Sequence, residues 1–146
     1  MSRAGRSIPH LARVLGALAV VLTLVGCGES IKGADLFLLT RRPSGQHRGA
    51  QLALLVNDSG TISCNGGRAK PLADPLLLQA RDLATALDGD AGLRILPPPN
   101  SVFHYYIVLP YGSVSFPDTA AAHHPLLAQV LQFSLRASQQ ACGLKG

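Results

Sequence analysis

A run of about twenty apolar residues, the length that carries a helix across a bilayer, is missing from the 146 residues. The nearest approach, Val14–Gly26, is thirteen residues without a charge and too short for a comfortable span. No GxSxG elbow, HExxH pair, phosphate-binding loop or dinucleotide fingerprint appears, so the chemistries those motifs carry have no support here. There are three cysteines and no CxxC, which removes the usual signature of a redox pair. Charge is also scarce. Thirteen basic residues face eight acidic ones, a formal +5. Arg3, Arg6 and Arg13 belong to the first 26 residues; without that segment ten basic residues remain against eight acids, close to +2. That is no electrostatic footprint for nucleic acid.

What is present at the front is ordered. Three arginines and no acid in residues 1–13 precede the apolar run Val14–Gly26, and small residues lead up to Cys27. A positive region, a short apolar region and small residues before a cut are the marks of a secretory leader. The arginines are not paired, which favours general secretion over a twin-arginine route. Leu24-Val25-Gly26-Cys27 resembles the lipobox of bacterial lipoproteins. The resemblance implies cleavage between Gly26 and Cys27 and a diacylglyceryl group on the Cys27 sulfur, with palmitate-type chains holding the protein at the extracytoplasmic face of the cell membrane. The chemistry suits the residues, because a thiolate is the available nucleophile and two acyl chains anchor where one is marginal. An ordinary cleaved leader with an incidental cysteine is the alternative.

The expected organisation is therefore a leader over 1–26, a lipidated polar tether over 27–33 and one domain over 34–146. Within that domain Cys64 and Cys142 form an even pair in an exported chain, which reads as one disulfide rather than two free thiols. ADLFLLT (34–40) has the length of a strand, and RRPSGQHRG (41–49) reads as a loop carrying Arg41, Arg42 and Arg48. QLALLVNDSGTISC (51–64) predicts a hairpin: Leu52, Leu54 and Val56 share one face, NDSG turns, and Ile62 and Cys64 return on the core side. NGGRAKPLA (65–73) reads as a glycine-rich loop. Asp74-Pro75 predicts a helix start with Asp74 as cap, and Leu76, Ala80, Leu83 and Leu87 form its apolar stripe, with Gly89 as the stop. LRIL and PPPN form a stiff extended connection. SVFHYYIVLPYGSVSF (101–116) predicts a second hairpin turning at Leu109–Gly112, both of whose faces are largely apolar. PDTAAAHH reads as a loop, and Pro125 opens a last helix whose inner stripe is Leu126, Val130, Phe133 and Ala137, widened by Leu127 and Leu131. Strands, helix, strands, helix predict an α+β domain: a small antiparallel sheet from two hairpins, with both helices packed on it and one disulfide.

Candidate chemistry is thin. His123 and His124 are adjacent and could meet His104 or Asp118 only through a loop, so they read as polar loop residues and no metal is expected. Ser63, Ser113 and Ser115 have nothing in their spacing to activate them, and alternating serines on a hairpin are its wet face. No catalytic residue, cofactor or enzymatic activity is expected. The candidate binding residues are Tyr105, Tyr106 and Tyr111, clustered on one hairpin, and Arg41 and Arg42, placed where lipid head groups or an acidic partner could dock. The tyrosines have packing across the sheet as the competing role.

Beyond the lipobox, DLFLLTR, GTISCNGG, SVFHYYIVL, GSVSFPDT and the late cysteine make the chain similar to a group of small actinobacterial lipoproteins, a likeness that implies no activity. A more limited likeness is to emfourin-type inhibitors of thermolysin-like metalloproteases, carried by an F-x-Y strand before a hairpin and by Pro125-Leu126-Leu127 opening the last helix. No inhibitory residue carries over from it. The sequence thus predicts a membrane-anchored, non-enzymatic binding module with a protein partner in the cell envelope, or alternatively an inhibitor of a secreted metalloprotease.

Overall fold

The computed structural model describes residues 31–144, so the expected leader, Cys27 and most of the expected tether lie outside the described residues. Six strands form one sheet: β1 (Asp35–Pro43), β2 (Leu52–Asn57), β3 (Thr61–Cys64), β4 (Lys70–Pro71), β5 (Phe103–Leu109) and β6 (Gly112–Pro117). Two helices accompany them, α1 (Asp74–Gly89) after β4 and α2 (Pro125–Gln140) after a short 3-10 turn over Asp118–Ala122. The order across the sheet is β4-β3-β2-β1-β5-β6, and every neighbouring pair is antiparallel. This is the expected α+β architecture.

Register explains the two faces. Leu39 stands opposite Leu54 and Ile107, Phe37 opposite Val56, Tyr105 opposite Phe116, and Ile107 opposite Val114. All of these side chains are buried. Side chains alternate along a strand, so this set defines one face, and the helices cover it. Leu76, Ala80, Leu83 and Leu87 of α1 are buried as their spacing predicts. In α2 the buried set is Leu127, Val130, Phe133, Ser134, Ala137 and Ser138, while Leu126 and Leu131 are only partly buried. The stripe is rotated by one residue from the predicted one because Ser134 and Ser138 turn inward, each hydroxyl donating to a carbonyl three residues back. Self-satisfied serines can be buried cheaply, and hydropathy alone misses them. Phe133 meets Phe37 edge to face, centroids 5.6 Å apart.

Several local expectations need correction. β1 runs on through Arg41, Arg42 and Pro43, read from sequence as loop, since pairing with both β2 and β5 outweighs the poor strand character of that stretch. The cap of α1 is Ala73, not Asp74, with no side-chain cap bond; Asp74 is the first helical residue and Pro75 follows. Gly89 remains helical and Asp90 caps the end. The 65–73 loop contains the short strand β4. The stretch after α1 also pairs: the Gly92 N–H donates to Ser113, Ser115 to Leu93 and Ile95 to Ser115, each at 2.9 Å, so residues 92–95 run parallel to β6 along its outer edge. At the other edge β4 is two residues long and ends in proline, which has no N–H to offer a further strand.

Cys64 and Cys142 are joined, Cα atoms 5.9 Å apart, tying β3 to the end of α2 across 78 residues. Closing a loop of that size stabilises a fold by about 4 kcal/mol in the chain-entropy account.

Candidate interaction surfaces

The face of the sheet turned away from the helices is built by the same register. Leu38 stands opposite Leu55 and Val108; Thr40 stands opposite Ala53 and Tyr106; Arg42 stands opposite His104. Ser113 and Ser115 border this row on β6, and Arg94, bridged to Ser115, joins it at the edge. Tyr106 and Val108 are each 42% exposed and Val102 is 40% exposed. This row across three central strands, left open by the helices, is a candidate contact surface, since the largest apolar patch on a protein is often functional.

Arg42 and His104 organise one end of the row. His104 stacks on Tyr106 with centroids 4.6 Å apart, and the Arg42 guanidinium carbon lies 5.5 Å from the Tyr106 centroid on cation-π geometry. His104 is only 7% exposed, and its burial pushes the imidazole below its ordinary range, because a charged ring loses solvation there.

Of the five residues proposed from sequence as a binding group, the structure brings Arg42 and Tyr106 together and separates the rest. Tyr105 points to the helices, buried and stacked on Phe116 at 5.4 Å. Burial raises its phenol above the usual range, and the Arg41 charge and Ser134 pull it partly back. Arg41 shares that inner face; its guanidinium carbon lies 4.6 Å from the Phe103 centroid and its Nε is buried without a hydrogen-bond partner. Tyr111 sits at the β5–β6 tip, 87% exposed. Leu38, Leu55, Val108 and Arg94 were not singled out by sequence. The even-numbered alternation along β5 was the available signal, but which of two apolar faces stays open is a property of helix placement.

A second surface lies where the chain enters the fold. A cleft of about 650 Å³ is lined by Asp35, Asp58, Asp88, Thr85, Leu36 and Tyr111, among others. Asp35 is buried there but satisfied, accepting from the Asn57 side-chain amide at 2.9 Å and the Lys32 N–H at 2.8 Å. Asp58 pairs with Arg81 of α1 at 2.7 Å.

The histidines and serines considered for chemistry are dispersed. His47 lines one cleft with Pro97, Pro98 and Pro99, and His123 and His124 line another with Leu96 and Pro98. Ser63 is on β3 and Ser115 on β6, with three strands between them. Asp118 is occupied in holding the start of β5, accepting from the Ser101 hydroxyl at 2.9 Å, from the Phe103 N–H at 3.2 Å and from the Val102 N–H. Among the described residues no three His, Cys, Asp or Glu side chains are grouped as a metal site. Nor is any described helix long and apolar enough to cross a membrane.

No family model matches the chain, and no curated protein or solved structure matches it either.

Proposed function

We propose that the protein is a lipid-anchored, non-enzymatic interaction module at the extracytoplasmic face of the cell membrane. One observation carries the reading: Leu24-Val25-Gly26-Cys27 closes an uncharged run that follows three unopposed arginines. Its supports are a disulfide of the kind exported proteins keep, and an open apolar sheet face of the kind partners cover. The cell-envelope ligand is proposed as a class only, a membrane or protein surface.

The test is mass and partition. Expressed with its own leader, the chain extracted from membranes is expected to begin at Cys27, carry a diacylglyceryl increment and enter the detergent phase. Cys27→Ser is expected to abolish the increment and move the protein to the aqueous phase; unchanged mass and partition would overturn the reading.

The inhibitor alternative draws on Phe103, Tyr105 and the Pro125-Leu126-Leu127 start of α2. Of these, Tyr105 and Leu127 are buried, Phe103 and Leu126 are partly buried against the core, and Pro125 is exposed. Titration of the protein into a thermolysin-like enzyme tests it, and undiminished proteolysis removes it.

A further inference from the structure

We propose that the open face of the sheet lies on the bilayer itself, with an anionic phospholipid surface as its occupant. The proposal rests on the lipid-anchor reading above, and the experiment below separates the failure of one from the failure of the other.

One support is reach. β1 begins at Asp35, eight residues beyond Cys27. Eight residues extend at most about 28 Å, roughly the diameter of a domain this size. A module so held meets the membrane at high effective concentration, and a weak face is enough to hold it down.

The second is charge. The strands and their loops, including the segment along the β6 edge, carry Lys32, Arg41, Arg42, Arg48, Arg68, Lys70 and Arg94 against Asp35, Asp58 and Asp118. The helices and the turn after α1 carry Arg81 and Arg136 against Asp74, Asp82, Asp88 and Asp90. The sheet strands with their loops are therefore net basic and the helices net acidic, Arg41 alone of the strand arginines being turned toward the helices. On the open face Arg42 and Arg94 flank the apolar row, and neither has a carboxylate partner, since Arg81–Asp58 is the ion pair found among the described residues. Asp35 and Asp118 already accept several hydrogen bonds from their own surroundings. Basic side chains beside apolar ones are what an anionic interface attracts.

The third is composition and size. Tyr106 presents an amphipathic ring between Val108 and Arg42, the kind of side chain that settles at head-group depth. Three strands about 4.8 Å apart and some six residues of strand length give a patch of roughly 300 Å². A stable dimer buries about 800 Å² per partner, so a second copy is poorly served by this face. Strand addition is poorly served as well, because one edge ends in proline and the other is occupied by residues 92–95.

The test exploits a gap in composition: the chain has no tryptophan. Tyr106→Trp, made in the full chain and extracted from membranes, is reconstituted into vesicles of equal phosphatidylglycerol and acyl-brominated phosphatidylcholine. Its emission is expected to shift to the blue and fall about twofold relative to unbrominated vesicles, as for an indole at the interface. Arg42→Glu with Arg94→Glu is expected to restore most of the lost emission. Val108→Trp gives the same readout should near-UV dichroism show that Tyr106→Trp perturbs the fold. A solvent-like, unquenched emission from acylated protein overturns the docking and leaves the anchor standing. Quenching that survives the double charge reversal, or a blue shift that grows with protein-to-lipid ratio and so marks a second copy, overturns it too. A chain without the acyl increment overturns the anchor separately. In that event the unacylated chain is sedimented with the same vesicles: charge-dependent binding still supports the face, and no binding sinks it.

Discussion

His104 shows what a single side chain can set. It stands on the open face yet is buried by its neighbours: Arg42 across on β1, Pro117 across on β6 and the Tyr106 ring stacked over it. Its pKa in the fold lies below the ordinary 6.5, so near and below that value the unfolded chain binds the proton more readily. The stability this ring contributes is therefore fully present well above pH 6.5 and is lost as pH falls through 6.5 toward the depressed value in the fold. Denaturant midpoints measured between pH 7.5 and 5 are expected to fall, and to fall less for His104→Gln; equal slopes for the two proteins would show that the ring is not the group responsible. Arg41 is a contrasting residue. Sequence placed it beside Arg42 as one exposed basic pair, and a strand separates such neighbours onto opposite faces, sending Arg41 under the helices against Phe103.

At the scale of elements the close approach of the α1 exit to the β5–β6 hairpin is the most sharply testable contact. A methyl group at Gly112 would stand 2.8 Å from the Ala91 Cβ, closer than atoms tolerate. Gly112→Ala is expected to cost about 1–3 kcal/mol, and Ala91→Gly in the same chain to recover most of that, a coupling read by a double-mutant cycle in urea. The elements were legible where one period dominated. Leu76, Ala80, Leu83 and Leu87 gave α1, and the alternation of Phe103 to Leu109 gave β5, because each buries one side of a regular repeat. Edge pieces were not. β4 and the 92–95 segment are held by backbone pairing to strands distant in sequence, and nothing in Lys70-Pro71 or Leu93-Arg94 announces a partner. The candidate surface was half legible for the same reason: the alternation named its residues, while its openness depends on both helices choosing the other side.

For the whole molecule, the disulfide decides how firmly the helical layer is fastened. Replacing Cys64 and Cys142 by alanine is expected to lower unfolding free energy by up to about 4 kcal/mol, measured by denaturant titration of oxidised protein and variant; a loss below about 1 kcal/mol would mean that packing of α2 alone suffices. The Cys27→Ser and Tyr106→Trp experiments act at this scale as well, since they ask where the domain sits and which way up. The guarded margins of the sheet then acquire a wider meaning. Proteins confined to a surface collide far more often than in bulk, and exposed backbone at a sheet margin is what seeds ribbon-like aggregates under such crowding. On the lipid-anchored reading proposed above, Pro71 at one border and residues 92–95 along the other would oppose edge-to-edge pairing of densely held copies.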